Sequence, residues 1–189
     1  MTSMNTPTRR RTLARATLTL LATLAALCPA VPAGARDGDA RRDGDVVREL
    51  RDRNAIEALM WRYVRALDAL DPDAYAATYT ADGRFIAGAM TAAGSDALKK
   101  IIADYRQART DRLARGEPAT PPMHHVITNT HIVFADRDHA RQDAYWMTVF
   151  EGQGEATPPR VAAAGRSVDE LVRIDGHWLI RTRDVTPRD

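Results

Sequence analysis

Residues 123–134 read MHHVITNTHIVF, a run dominated by β-branched and aromatic residues and histidine, with no glycine, proline or charged side chain to interrupt it. Such a composition favours a long strand over a helix. Three runs of similar texture follow at 140–151 (ARQDAYWMTVFE), 161–174 (VAAAGRSVDELVRI) and 177–186 (HWLIRTRDVT). Asp136-Arg137-Asp138 and Asp175-Gly176 supply turns between them, and residues 152–159 read as a hairpin loop. Upstream the period changes. Ile56, Leu59, Met60, Tyr63, Val64 and Leu67 recur at steps of three and four, one apolar stripe on a helix from about Val46 to Leu70. Asp71 is a good N-cap and Pro72 a good first helical residue for a short helix through Tyr79, ended by Asp82-Gly83. Arg84 to Ala87 suits a short strand. Ser95 caps a third helix with Leu98, Ile101, Ile102 and Tyr105 on one face and Gly116 as its stop, before a proline-rich loop at 118–122. Helices first and a strand meander afterwards give an α+β fold with an antiparallel sheet. A twisted sheet that packs on three helices curls around them and leaves a pocket at its open end.

The chain has 189 residues, 44 % of them hydrophobic, enough for one compact domain and too few for a large multidomain enzyme. Lys and Arg number 27 against 25 Asp and Glu, but Arg9, Arg10, Arg11 and Arg15 lie in a first stretch of 35 residues without an acid. The remainder therefore carries 23 bases against 25 acids, scattered rather than gathered into a stripe. That balance gives no field suited to gripping nucleic acid.

The first 35 residues read as an export signal. Arg9-Arg10-Arg11 is a basic start, Ala16 to Cys28 an uncharged Leu/Ala/Thr run, and Ala33-Gly34-Ala35 offers small residues for cleavage after Ala35. Residues 16–35 are also long enough for a membrane anchor, but Pro29, Pro32 and Gly34 break the run. Arg10-Arg11-Thr12-Leu13-Ala14 resembles a twin-arginine export motif. The chain's one cysteine, Cys28, lies in this leader, so the exported protein, periplasmic or extracellular, has no disulfide and no thiolate metal ligand. Residues 36–45 (RDGDARRDGD) carry one apolar side chain, Ala40, and read as a disordered linker, placing the domain at 46–186.

Two polar residues stand out against this framework. Asp68 lies in the last turn of the first helix, about a quarter-turn from the centre of the apolar stripe, and looks either inward at a cavity or sideways into water. His125 opens the first long strand, and by alternation Ile127, Asn129, His131 and Val133 share its face, whereas His124 goes with Val126, Thr128 and Thr130. One histidine points in and the other out, and a β-bulge would exchange them. A carboxylate bonded to one imidazole nitrogen fixes the tautomer and makes the other nitrogen a base near neutral pH, with no cofactor required.

Tyr63 to Asp68, Asp71, Tyr75 to Asp82, the string His125-Val-Ile-Thr-Asn129, Tyr145-Trp146 and the stretch Asp169 to Trp178 together resemble the SnoaL-like branch of the NTF2-like superfamily. The resemblance covers about residues 46–186. It implies a cone, a curved antiparallel sheet wrapped around three N-terminal helices, with a deep apolar cavity and often a homodimer. Members similar to scytalone dehydratase and to the hexachlorocyclohexane dehydrochlorinase use a histidine from the first long strand and an aspartate from the end of helix 1, positions that match His125 and Asp68. By that likeness His125 takes a proton from carbon, Asp68 orients it, and a leaving group departs.

Tyr63 suits a hydrogen bond to a substrate carbonyl or hydroxyl as well as it suits the core, and Tyr79, Asn129, Tyr145 and Trp146 are candidate pocket walls. Arg173 reads as a surface ion pair. The histidines form no metal-ligand spacing with an acid, and no glycine-rich phosphate loop or serine elbow occurs, so neither metal nor nucleotide is expected. The reading that follows is a cofactor-independent lyase of the dehydratase type, or an isomerase, on a small apolar molecule. A non-catalytic binding or dimerisation module and a polyketide-cyclase-like aldol cyclase use the same cone and stay open beside it.

Overall fold

The computed structural model describes residues 33–188, with side chains from Asp43 onward. The chain divides into two compact units, Met1–Ala40 and Arg41–Asp189, and the account below concerns the second. Residues 1–32, with Cys28 and most of the expected leader, lie outside the described residues.

Helix α1 spans Ala33–Asp68 and so includes residues 36–45, where the sequence reads as a linker. No proline interrupts that stretch, and from its last residue onward pairs three or four apart support the helix: Asp45 pairs with Arg48, and Glu49 with Arg53 at 2.7 Å. The expected stripe is buried, with Ile56, Leu59, Met60, Tyr63 and Val64 all in the core. Helix α2 is Pro72–Ala76, capped as expected by Asp71, whose Oδ1 accepts from the Asp73 and Ala74 amides. It ends sooner than the sequence suggests, because Tyr79–Ala87 is already strand β1, with Asp82-Gly83 inside it at an irregularity of register. Strand β2 (Met90–Ala93) and helix α3 (Ser95–Ala114) follow. The N-cap of α3 is Gly94, not Ser95, and no side chain caps it. Its end matches expectation: Gly116, at φ +72°, sits in the left-handed turn, with the Glu117 amide on the Arg112 carbonyl and the Gly116 amide on that of Leu113.

Strands β3 (Met123–Phe134), β4 (His139–Phe150), β5 (Arg160–Ile174) and β6 (His177–Asp184) form the expected antiparallel meander. The sheet order is β2-β1-β6-β5-β4-β3, with β1 joining β6 in parallel, a pairing the meander pattern does not reveal. Register shifts after Thr128, Thr148 and Glu170 bend the long strands, and the sheet curves around the helices.

One end of this cone is closed by a polar staple. Asp52 of α1 accepts from Arg173 Nη1 at 2.7 Å and from Trp178 Nε1 at 3.1 Å, while Arg173 Nε reaches Asp138 at 3.0 Å. Arg173 is thus an ion-pair residue, and it ties α1 to the β5–β6 hairpin. Sixteen residues along α1, about 24 Å at 1.5 Å per residue, Asp68 marks the other end, which stays open.

Candidate active site

Helix α1 stops abruptly at the open end. Leu70 adopts φ +52°, the Leu70 amide bonds the Leu67 carbonyl, and the Asp71 amide reaches back to the Ala66 carbonyl at 2.9 Å. This is the left-handed helix stop that glycine usually makes, at a cost of about 1 kcal/mol for a leucine. It makes Asp68 the last residue of the helix and leaves that side chain facing the first residues of β3.

There Asp68 meets His125 twice. Its Oδ1 accepts from the His125 backbone N–H at 3.0 Å and lies 2.7 Å from His125 Nδ1. Side-chain exposure is 10 % for Asp68 and 18 % for His125, so water screens the contact little. A carboxylate on Nδ1 requires the proton there and leaves Nε2 with its lone pair; Nε2 has no partner among the described residues. His124, on the opposite face of the strand, also approaches this carboxylate, with Nδ1 3.8 Å from Asp68 Oδ2, and its Nε2 lies 2.5 Å from Glu151. Both histidines reach one aspartate because they sit at the end of β3, at the rim of the sheet, where the helix stop projects.

The His125 ring lines a cavity of about 660 Å³, the size of a small-molecule site. Its walls are mainly apolar and aromatic, including Tyr63, Leu67, Tyr75, Phe85, Ile102 and Phe150. A second hollow of about 410 Å³ lies between α1 and β3 and is also bordered by His125.

Of the seven residues singled out from sequence, the structure brings Asp68, His125 and Tyr63 to the cavity and not the other four. Tyr79 is buried one layer behind, its hydroxyl 3.1 Å from that of Tyr75, and Tyr63, Tyr75 and Tyr79 stack at centroid distances of 5.3–6.2 Å. Burial, with the neighbouring tyrosines, pushes the Tyr75 and Tyr79 hydroxyls well above their ordinary pKa, so both stay neutral. Asn129 is exposed with φ +53° in the bulge between Thr128 and His131. The bulge shifts the alternation beyond it, so that Ile132 is buried and Val133 exposed, and the polar residues expected to line a wet pocket leave the His125 face. Tyr145 pairs with Thr128 on the outer face and is 55 % exposed. Trp146 points the other way, against Gly165, where a Cβ would come within 2.9 Å of the indole; its Nε1 donates to the Arg166 and Val185 carbonyls, which makes it a brace of the sheet.

Behind the tyrosines lies a buried ion pair that sequence reading missed. Arg183 Nη1 bonds both oxygens of Asp169 at 2.8 and 2.7 Å, with the guanidinium 4.5 Å from the Tyr63 ring centre. Burial pushes the Asp169 carboxyl up to about 6, against the pull of Arg183 and Gln142. Burial disfavours the charge on Arg183 too, but Asp169 and the three tyrosines hold its pKa above the ordinary value. Counting back from the Asp175-Gly176 turn would set residue 169 opposite 182; the bulge at Glu170 sets it opposite Arg183. Sequence reasoning also passed over Arg65, Arg109 and Arg112, all at the cavity. Among the described residues no group of three His, Cys, Asp or Glu could hold a metal ion.

Comparison with known proteins agrees with this architecture. A family profile described as SnoaL-like domain matches residues 48–184. The fold is similar to an NTF2-like protein with a cystatin-like fold from Novosphingobium aromaticivorans, at 19 % identity and a TM-score of 0.62 over 77 % of this chain and 88 % of that one. It is similar to a candidate scytalone dehydratase of the same organism, at 24 % and 0.57 over 74 % and 85 %. A third similar structure, from Catenulispora acidiphila in complex with S-DNPA, is 21 % identical with a TM-score of 0.57 over 71 % and 91 %. No curated protein matches the sequence. The profile covers most of the chain and the cone is the fold of these structures: the protein belongs to the SnoaL-like family.

Proposed function

We propose that the protein is a cofactor-independent lyase of the dehydratase type on a small, largely apolar molecule. The observation that carries this is the 2.7 Å contact of Asp68 with His125 Nδ1 at the wall of an apolar cavity. In the step inferred, His125 Nε2 takes a proton from carbon, and the C–H electron pair becomes the new C=C bond. The hydroxyl on the adjacent carbon leaves with its bonding electrons, takes the proton that His125 Nε2 has just removed, and departs as water, which returns the imidazole to its neutral form. Asp68 holds the imidazole in the tautomer that has a free Nε2 and stabilises the imidazolium as it forms. Desolvation in the cavity strengthens that interaction.

Proton abstraction can be measured without knowing the leaving group. Incubated in deuterium oxide with 2-tetralone, an apolar carbon acid, the protein is expected to speed deuterium entry next to the carbonyl, read by proton NMR. His125→Ala should lower the catalysed rate by about 10²–10⁴-fold, the usual contribution of a positioned base. Equal rates in the two proteins, or none above background in either, would overturn the reading.

Export to the periplasm or beyond, with cleavage after Ala35, belongs to the same proposal, as does pairing into a homodimer; exposed Val126 and Tyr145 on the outer face of the sheet support the pairing, and light scattering tests it.

A further inference from the structure

The cavity has an apolar body and a basic rim. Three arginines border it: Arg65 in the last turn of α1, and Arg109 and Arg112 in the half of α3 that runs on past its buried residues Leu98 and Ile102. Several other arginines are matched to acids, Arg48 to Asp45, Arg53 to Glu49, Arg141 to Asp143 and Arg173 to Asp52, while others without an acid among the described residues, such as Arg51, Arg62 and Arg84, do not border the cavity. At the rim Arg112 shares Glu117 with Arg115, whereas Arg65 and Arg109 have no acidic partner among the described residues. Asp68 is the one carboxylate among the residues that line the cavity, and it is held by His125. Two unpaired guanidinium groups from different helices therefore border one apolar hollow whose sole acid is already occupied.

A neutral apolar ligand would use only half of this site. We propose that the cavity takes an apolar ring compound carrying a carboxylate, with the ring against Tyr63, Phe85 and Phe150 and the carboxylate at the rim against Arg65 and Arg109. The planar guanidinium fork donates two parallel hydrogen bonds to a carboxylate, and repulsion from Asp68 turns the anionic end away from His125. The ligand thus presents an uncharged carbon, not its carboxylate, to the imidazole. This rests on the reading above for the use of the cavity, and not on the chemistry assigned to His125.

The test compares 2-naphthoate with 2-naphthamide, which share ring and shape but differ in charge, by calorimetric titration into the full chain at pH 7.5. The naphthoate should bind about tenfold tighter, and the ratio should fall to about threefold or less in the Arg65→Gln/Arg109→Gln double variant while naphthamide affinity stays unchanged. Added salt should narrow the wild-type ratio, since the rim is exposed. Equal affinities in wild type, a preference that survives in the double variant, or no saturable binding of either probe would overturn the proposal. His125→Ala keeps the two ideas apart. A preference retained there with deuterium exchange absent in wild type leaves the acid site standing and removes the lyase; exchange that depends on His125 without any preference does the reverse.

Discussion

At the scale of single residues, the candidate chemistry depends on which nitrogen of His125 carries the proton. Asp68 decides this twice over, because its Oδ1 takes both the backbone N–H and the ring Nδ1–H of the same residue. An asparagine in its place can keep an oxygen toward both donors but carries no charge, so it would stabilise the imidazolium formed during proton abstraction far less. Asp68→Asn is therefore expected to lower deuterium exchange into 2-tetralone by about 10²-fold while shifting the thermal midpoint little, a pair of results read by NMR and by circular dichroism. Loss of fold together with activity would make Asp68 a structural residue and nothing more. The places of both members of the pair were legible in the sequence, but the resemblance to the SnoaL-like branch, and not the helical stripe or strand parity, decided that they face one cavity. The places of Asn129 and Tyr145 were not legible. A bulge after Thr128 and simple strand parity moved them away from the cavity, and neither the bulge nor the helix stop at Leu70 has a residue signature such as glycine to announce it.

At the scale of elements, strands β3 to β6 and helix α3 could be placed from sequence within a residue or two, because β-branched runs and glycine stops mark them. The β5–β6 hairpin shows the limit: the Asp175-Gly176 turn is evident, but a bulge five residues away selects the partner of Asp169. That partner matters for stability. Asp169 has a native pKa raised to about 6 by burial, above its ordinary 3.8, so the folded form binds more protons than the unfolded one between those values. Its contribution to stability is therefore fully present below about pH 3.8 and declines as pH rises through 6. Arg183→Met removes the cation that opposes this rise, and the window then extends further upward. The variant should be destabilised by about 3–5 kcal/mol at pH 8, where a lone buried carboxylate would have to ionise, and by less at pH 5, where it is neutral. Urea unfolding at the two pH values reads the difference; an equal cost at both would mean that Asp169 is not the group left unpaired.

At the scale of the whole molecule, the division of labour runs along α1. The Asp52, Arg173 and Trp178 staple closes one end of the cone, so that the other can carry a polar pair and a basic rim without the core depending on them. An α+β cone with a cavity at its open end was legible from the order of helices and strands; the parallel docking of β1 on β6 was not, because no local pattern encodes a pairing between residues 98 to 101 apart. The proposed export bears on the same economy. A domain that works outside the cytoplasm without a disulfide must rely on its packed core, and Cys28 would leave with the leader. No helix among the described residues is long and apolar enough to cross a membrane. Expressed with its own first 35 residues in a secreting bacterial host, the protein should therefore be recovered outside the cytoplasm with Arg36 as its first residue. Intact-mass measurement would give the mass of residues 36–189, and a thiol reagent would titrate no cysteine. A full-length chain retained in the cytoplasm, with Cys28 still reactive, would show that the N-terminal run is not a cleaved signal.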